Sequence, residues 1–187
     1  MQASRHFVRS TLALALACAA GSALAQDEYS KTVFIGDSLT DSGHFRPALV
    51  QANGPAAAIL GRFTTNPGQV WAEFLAEYYG TNAISANQGG TNYAVGGSRT
   101  GTNTSGALGP IPSMTSQLTS YLAANGGRAA ANALYTAWVS ANDLTARVGG
   151  ATAAPTIGAA VTSQVGIIGS LQQAGARYVL VPNIPDL

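Results

Sequence analysis

The chain has a single cysteine among its 187 residues, and this residue, Cys18, lies in the N-terminal segment. One cysteine excludes both an internal disulfide and a metal site built from several thiolates. Stability must therefore come from a packed core. A chain of 187 residues with 47% hydrophobic composition is long enough to build such a core as one domain.

Charged residues are also scarce. Lys, Arg, Asp and Glu make up 9% of the chain, and the formal net charge is +1. Low charge combined with high apolar content argues against a disordered charged tail. The sequence lacks the basic excess with which proteins bind nucleic acid, so we expect no nucleic-acid partner.

The N-terminus has the pattern of a secretory signal peptide. Arg5 and Arg9 give a positive start, residues 11–20 form a short apolar run, and Ala-Leu-Ala at 23–25 is a small-residue cleavage site. We therefore predict a signal peptide at residues 1–25.

Cleavage of this peptide leaves a mature domain at 26–187, close to neutral in charge, and predicts an exported protein that is secreted, periplasmic or displayed on the cell surface. The apolar run is short for a bilayer span, and we expect no later segment to cross a membrane. Three alternatives stay open: an N-terminal membrane anchor, a buried helix, and a lipoprotein lipidated at Cys18.

Strand-like and helix-like segments alternate along the rest of the chain. Apolar runs and glycine turns predict strands at about 32–36, 92–97, 133–139 and 177–182, and helices at about 71–79, 113–124 and 154–174, with a loop across the forties to the sixties that contains a short helix near 55–60. This alternation predicts an α/β fold, with a mainly parallel sheet in a three-layer α/β/α arrangement. The aromatic residues Trp71, Phe74, Tyr78 and Trp138 are expected in the core.

A serine follows the first predicted strand. Val33, Phe34 and Ile35 would lie inside a sheet, and Gly36 permits a tight turn that brings Ser38 to the rim, where open α/β sheets bind ligands. Ser38 is therefore a candidate nucleophile, with helix capping as the alternative role.

Two further turns follow predicted strands, one over residues 92–97 and one at Asn142-Asp143. Parallel strands place such turns on one edge of the sheet. Acyl transfer needs a nucleophile and N–H donors aimed at the oxygen that becomes negative. The backbone amides of Ser38 and Gly97 and the side-chain amide of Asn142 are candidate donors; chain turning for Gly97 and capping for Asn142 are the alternatives.

These three segments resemble the motifs of the GDSL, or SGNH, family of serine esterases and lipases. Residues 36–39 (Gly-Asp-Ser-Leu) match the first block, residues 92–97 resemble the second, and residues 141–143 (Ala-Asn-Asp) match most of the third. The sequences of residues 111–144 and 181–187 are similar to those of secreted bacterial members of the family, some of which are passenger domains of autotransporters. The resemblance covers about residues 31–187.

The resemblance implies an SGNH-hydrolase, flavodoxin-like fold and a hydrolase of carboxylic esters. It implies Ser38 as the nucleophile and an oxyanion hole formed by Ser38, Gly97 and Asn142, with no metal and no organic cofactor. Small-molecule or lipid esters would be the substrates, and an outer-membrane barrel could follow in a longer parent chain.

The chain departs from the family pattern in two places. Ser140 stands where the third block usually begins with glycine, and the last block, Asp-x-x-His, is absent because Asp186 is followed by one residue only. His6 leaves with the signal peptide. His44 lies six residues after Ser38, so we expect it to point away from the hydroxyl and to lie at a pocket rim or on the surface.

The neighbouring polar residues have ordinary structural explanations. We expect Asp37 to shape the turn, Asp41 and Ser42 to cap, and Asp143 to hold its loop through backbone hydrogen bonds.

Two functions follow for this domain. The first is an exported serine hydrolase whose domain is C-terminally incomplete in this sequence, so that the chain alone is inactive or weak without the catalytic Asp and His. The alternative is a non-catalytic, surface-displayed binding or passenger module on the same scaffold.

Overall fold

The computed structural model describes residues 29–64, 68–138, 141–145 and 153–184. The predicted signal peptide at 1–25 lies outside the described residues, as do Ser140 and Asp186. The division into a signal peptide and a mature domain therefore stays a prediction.

The described residues contain five strands and five α-helices. The strands are β1 (Thr32–Ile35), β2 (Thr104–Gly106), β3 (Gly109–Ile111), β4 (Leu134–Ala137) and β5 (Tyr178–Leu180). The helices are α1 (Arg46–Asn53), α2 (Trp71–Tyr78), α3 (Met114–Ala124), α4 (Asn142–Thr145) and α5 (Ala153–Ala174). Two short 3-10 helices span Pro55–Ile59 and Ala86–Gln88.

The central sheet is parallel, with spatial order β1-β4-β5. Asn92 extends it on the far side of β1 through a single parallel bridge to Phe34, whose N–H donates to Thr91 O and whose carbonyl accepts from Tyr93 N–H. β2 and β3 form a separate antiparallel hairpin. The carboxyl ends of β1 and β4 and the turn after Asn92 therefore share one edge of the sheet.

Helices cover both faces of the sheet, and β1 is therefore buried on both sides. Val33 and Ile35 pack in one core cluster with residues of α3 and α5, including Leu118 and Ile167. Phe34, which points to the opposite face, packs in a second cluster with α2 and the residues that flank it. The predicted three-layer α/β/α architecture is confirmed.

Local chemistry explains several helix ends. Ser113 caps α3, its hydroxyl accepting from Ser116 N–H at 3.2 Å. Pro47 occupies the first turn of α1, where its missing N–H costs nothing. Glycines with positive φ follow α2 and α5: Gly80 at 66° and Gly175 at 111°.

Most of the predicted elements are confirmed, with ends that differ by up to two residues, and three expectations are wrong. Residues 46–53, expected in a loop, form α1, because proline in the first turn permits a helix. Residues 92–97 pair only at the Asn92 bridge and form no strand. The β2–β3 hairpin and α4 were not anticipated. Phe74 and Tyr78 are 58% and 81% exposed, because they lie on the outer face of α2.

Helix α5 has the length and composition of a membrane-crossing helix, the one such helix in the described part of the chain. The expectation that no later segment crosses a membrane stays a prediction. In the structure one face of α5 packs against the sheet and α3 through Ala160, Gln164, Ile167 and Leu171. Its outer face leaves Ile157, Val161 and Val165 exposed.

Candidate active site

Ser38 lies in a tight turn directly after β1. The Asp37 carboxylate accepts from Leu39 N–H at 3.0 Å, and the Asp37 carbonyl accepts from Thr40 N–H and Asp41 N–H. These bonds confirm the turn-shaping role expected for Asp37. Ser38 is half-buried. Neither its hydroxyl nor its backbone N–H has a hydrogen-bond partner among the described residues.

The second segment runs beside this turn. Val95 N–H donates to Gly36 O at 3.2 Å, and Gly96 N–H donates to an oxygen of the Asp41 carboxylate at 2.8 Å. Gly97 is exposed and has φ +83°, a conformation that favours glycine. Within the described residues its N–H has no partner. Of the two adjacent glycines, only Gly97 therefore has an amide free to bind a substrate oxygen.

Asn92 fastens the second segment to the first. Its side-chain N–H donates to Thr40 O at 2.8 Å and to the Ser42 hydroxyl at 2.9 Å, while its side-chain oxygen accepts from Ala94 N–H at 3.0 Å. The Ser42 hydroxyl in turn donates to Ala83 O. Ser42 therefore joins loops rather than capping a helix, which corrects the sequence-based expectation.

Asp41 is fully buried and joins the same two segments. One carboxylate oxygen accepts from Gly43 N–H at 2.8 Å and His44 N–H at 2.7 Å, and the other accepts from Gly96 N–H. The first two bonds close a turn before α1, whose N-cap is Phe45, so the expectation that Asp41 caps a helix is wrong. Burial raises the pKa of Asp41, and the three backbone donors and the His44 charge oppose that shift. No local sequence pattern indicates the bond to Gly96, because it joins residues far apart in the chain.

The third segment reaches the other two through side chains. The Asn142 amide nitrogen donates to Ser98 O at 2.9 Å and lies 3.4 Å from an oxygen of Asp37. Its side chain therefore contacts a neighbour of Ser38 and a neighbour of Gly97. The structure thus brings together the three segments that carry Ser38, Gly97 and Asn142. The catalytic and oxyanion-hole roles of these residues stay predictions.

Asp143 secures the same junction one residue further on. It is buried, and one of its carboxylate oxygens accepts from the backbone N–H of Thr100 at 2.8 Å and from the Thr100 hydroxyl at 2.7 Å. The expected role of holding the loop through hydrogen bonds is confirmed, with the partner three residues beyond Gly97.

His44 does not reach the serine. Its ring is half-buried and packs edge-on against Phe45, with ring centroids 5.0 Å apart. Burial lowers the pKa of His44, and the Asp41 charge opposes that shift. No hydrogen bond joins the His44 ring to Ser38 in the described parts of the chain. The expectation that His44 points away from the hydroxyl agrees with this placement.

Two cavities flank the third segment. One, of about 430 Å³, is lined by residues that include Arg99, Thr102, Asp143 and Ser163. The other, of about 370 Å³, is a largely apolar groove between α4, α5 and the chain after β5, and its lining includes Leu144, Val161 and Ile184. Ser38 and Gly97 line neither of these two cavities.

No group of three or more His, Cys, Asp or Glu side chains that could hold a metal ion occurs among residues 29–64, 68–138, 141–145 and 153–184. That the reaction needs neither metal nor cofactor stays a prediction.

A serine hydroxyl beside N–H donors, at the carboxyl edge of a parallel sheet, is the arrangement typical of serine hydrolases. The chain belongs to the GDSL-like lipase/acylhydrolase family, whose model matches residues 32–187.

Two curated relatives are similar to this chain. It is 29% identical over 168 residues to Lipase 1 of Photorhabdus luminescens, an alignment that covers 85% of this chain and 23% of that protein. It is 35% identical over 201 aligned residues to an uncharacterized protein of the trpE-trpG intergenic region of Pseudomonas putida, covering 96% of this chain and 32% of that protein. The chain thus spans roughly a quarter to a third of the length of these relatives.

Proposed function

We propose that this domain hydrolyses carboxylic esters with Ser38 as the nucleophile. The observation that carries the proposal is the pair of unpartnered backbone N–H groups, those of Ser38 and Gly97, in two segments that the Asn142 side chain joins. N–H donors fixed before reaction are what a developing oxyanion requires. Small-molecule or lipid esters are the proposed substrates.

The proposed reaction has two steps. A base takes the Ser38 proton as the hydroxyl oxygen attacks the ester carbonyl, and the backbone amides of Ser38 and Gly97 stabilise the negative oxygen. The Asn142 side chain joins them as the third donor by turning one N–H from the Asp37 carboxylate, 3.4 Å away, to the oxyanion. The alcohol leaves with the proton, giving an acyl-serine. Water then attacks the acyl group, and the acid is released. No step requires a metal or an organic cofactor.

The base is the missing part of this site. The sequence holds only His6 and His44, and His44 makes no hydrogen bond to Ser38 within the described residues. We propose that an Asp-x-x-His block beyond Leu187 supplies it in the complete enzyme. Residues 26–187 alone are then weak catalysts, with only the binding and oxyanion contributions left.

Added imidazole tests this proposal, because it can replace a missing histidine. We expect residues 26–187 to hydrolyse p-nitrophenyl acetate poorly and to gain a rate that rises with imidazole concentration. The background reaction of imidazole is removed by subtracting the rate of the Ser38→Ala variant. The His44→Ala variant should behave like the wild type. Robust turnover without imidazole that survives His44→Ala would refute the missing-base argument.

The absent base also favours a second candidate, a non-catalytic binding module. This module would bind an ester or glycan ligand but would show no Ser38-dependent rate at any imidazole concentration. The same assay therefore separates the two functions.

We also propose that the protein is exported. The support is the signal-like sequence of residues 1–25. Mass spectrometry of the protein made in a bacterium with its full N-terminus should find Gln26 as the first residue. A lipidated Cys18 at the N-terminus, or retention of Met1, would overturn cleavage at Ala25.

A further inference from the structure

A buried glutamine on α3 holds the residue that begins the serine turn. Gln117 is only 2% exposed. Its side-chain oxygen accepts from Gly36 N–H at 2.9 Å, and its side-chain nitrogen donates to Gly36 O at 2.9 Å. The carboxamide thus pairs with both backbone groups of Gly36, as a neighbouring strand would, two residues before Ser38.

The same amide nitrogen reaches the second segment. It lies 2.9 Å from the Ser98 hydroxyl and 3.3 Å from Pro112 O. Ser98 follows Gly97 directly, and its carbonyl accepts from Asn142. One side chain therefore contacts the backbone before the nucleophile and the residue after a proposed oxyanion donor.

Ordinary packing does not require this arrangement. The neighbours of Gln117 on the inner face of α3, Met114, Leu118 and Tyr121, are apolar or aromatic and fill the core beneath the sheet. A buried carboxamide without partners is costly, and this one has a partner for each of its polar atoms. Its three shortest contacts, to Gly36 and Ser98, lie at the site, and the longer one, to Pro112 O, lies at the start of α3.

We propose that Gln117 is a positioning residue for ester hydrolysis, which fixes the spacing between the Ser38 turn and the Gly97 amide. This inference rests on the proposed function. Because a reacting group misplaced by about 1 Å can cost about 10²-fold in rate, loss of this link should slow the Ser38-dependent reaction strongly.

Gln117→Glu is the sharpest test, because a carboxyl group has nearly the shape of a carboxamide. When protonated, it can accept from Gly36 N–H and donate to Gly36 O or to Ser98; when ionised, it has only acceptors and repels both oxygens. Near pH 8 the imidazole-dependent rate of the variant should be about 10–100-fold lower than that of the wild type. The ratio of the two rates should rise as the pH falls. The unfolding midpoint of the variant at each pH separates the two causes: a purely structural defect lowers the rate only as far as it lowers the folded fraction, whereas mispositioning lowers the rate of protein that is fully folded.

Tyr121→Phe is the matched control. Tyr121 lies one turn further along α3, is equally buried and gives up one buried hydrogen bond, to Tyr135 at 2.8 Å, far from the serine turn. The Ser38-dependent rate of the Tyr121→Phe variant should equal that of the wild type. Ser98→Ala is the second variant. It removes the link from Gln117 to the Gly97 segment, together with the bond that the Ser98 hydroxyl donates to Pro112 O at 2.8 Å, and keeps both bonds to Gly36, so it should lower the rate less than Gln117→Glu does.

The outcomes separate this inference from the proposed function. A wild-type rate that depends on Ser38, with Gln117→Glu and Ser98→Ala unaffected, overturns the positioning role alone. A wild-type rate that does not depend on Ser38 overturns both the positioning role and the proposed function. If Gln117→Glu does not fold, Ser98→Ala decides: a reduced rate with a wild-type unfolding midpoint supports positioning, and an unchanged rate overturns it.

Discussion

At the scale of single residues, the account depends on which amide groups are free. Gly96 and Gly97 are adjacent, yet the N–H of Gly96 is held by Asp41 and that of Gly97 has no partner within the described residues. The left-handed backbone of Gly97 turns its N–H out of the segment's own hydrogen bonding. This difference explains why only one of the two glycines can serve the oxyanion.

Gly97→Ala should therefore impair the reaction. Gly97 has φ +83°, and a Cβ there would lie 3.3 Å from Ile111 Cδ1, so the alanine strains the backbone and shifts the N–H. Loss of one oxyanion donor typically costs about 10²–10³ in rate, so we expect a fall of about 100-fold in the Ser38-dependent, imidazole-supported rate.

Gly127→Ala is the matched control for that variant. Gly127 has a similar φ of +77°, and a Cβ there meets nothing within 4 Å. It should lose comparable backbone stability but keep the rate. Equal rates for the two alanine variants would contradict an oxyanion role for Gly97.

His44 predicts a proton-linked change in stability. Because burial lowers its folded pKa below the ordinary value of 6.5, the folded state binds fewer protons than the unfolded state in the window beneath that value. The free energy of unfolding should therefore fall as the pH drops through about 6.5 towards the lowered pKa.

The His44→Gln variant should lose less stability than the wild type between about pH 7.5 and pH 5.5. Urea unfolding at both pH values measures this difference. Asp41, whose raised pKa acts in the opposite direction, is present in both proteins. Loss of the His44 charge, which lowers the pKa of Asp41, strengthens that opposite contribution in the variant, so it changes the comparison in the same direction. An identical acid-induced loss in the two proteins would show that His44 is not buried.

At the scale of elements, side-chain links between distant loops assemble the site. The short helix α4 is fixed to the residues after Gly97 by the bonds from Thr100 to Asp143. Helix α3 is fixed to the serine turn by Gln117. The sheet brings the segments to one edge, and these links set their spacing.

Removal of the Asp143 carboxylate should destabilise this junction. Asp143→Ala leaves the fully buried Thr100 N–H and hydroxyl without an acceptor, and we expect a loss of about 3 kcal/mol in the free energy of unfolding. Asp143→Asn keeps one acceptor oxygen and should lose about half as much. Urea denaturation measures both, and an Ala variant as stable as the wild type would contradict the proposed link.

The elements that the sequence predicted well are those with a strong local signal. β1 and β4 are short apolar runs, and α3 has an apolar stripe and a serine cap. α1 was missed because Pro47 and the nearby glycines indicate a loop, although proline is tolerated in a first helical turn. The β2–β3 hairpin was missed because its strands contain glycine and proline instead of alternating apolar residues.

Within the site, the sequence could supply the three segments but not the bonds among them. Ser38, Gly97 and Asn142 were found from turns that follow strands and from motif blocks. The roles of Asp41, Asn92 and Gln117 depend on contacts across up to 81 residues of chain, which no local pattern records.

At the scale of the whole molecule, the described surface leaves an apolar region uncovered. Ile157, Val161 and Val165 repeat every four residues along the outer face of α5, and the edge strand β5 exposes Tyr178 and Leu180. Such a surface favours association. The serine site lies at the carboxyl edge of the sheet and does not include this face.

The central claim is that Ser38 is a nucleophile whose environment is complete except for its base. The most direct measurement is mass spectrometry of residues 26–187 after exposure to a fluorophosphonate, with and without imidazole, followed by peptide mapping. We predict one phosphonyl adduct, on the peptide that contains Ser38, which forms faster with imidazole and is absent from Ser38→Ala. An adduct on other residues, or none at Ser38 with imidazole present, would contradict the account.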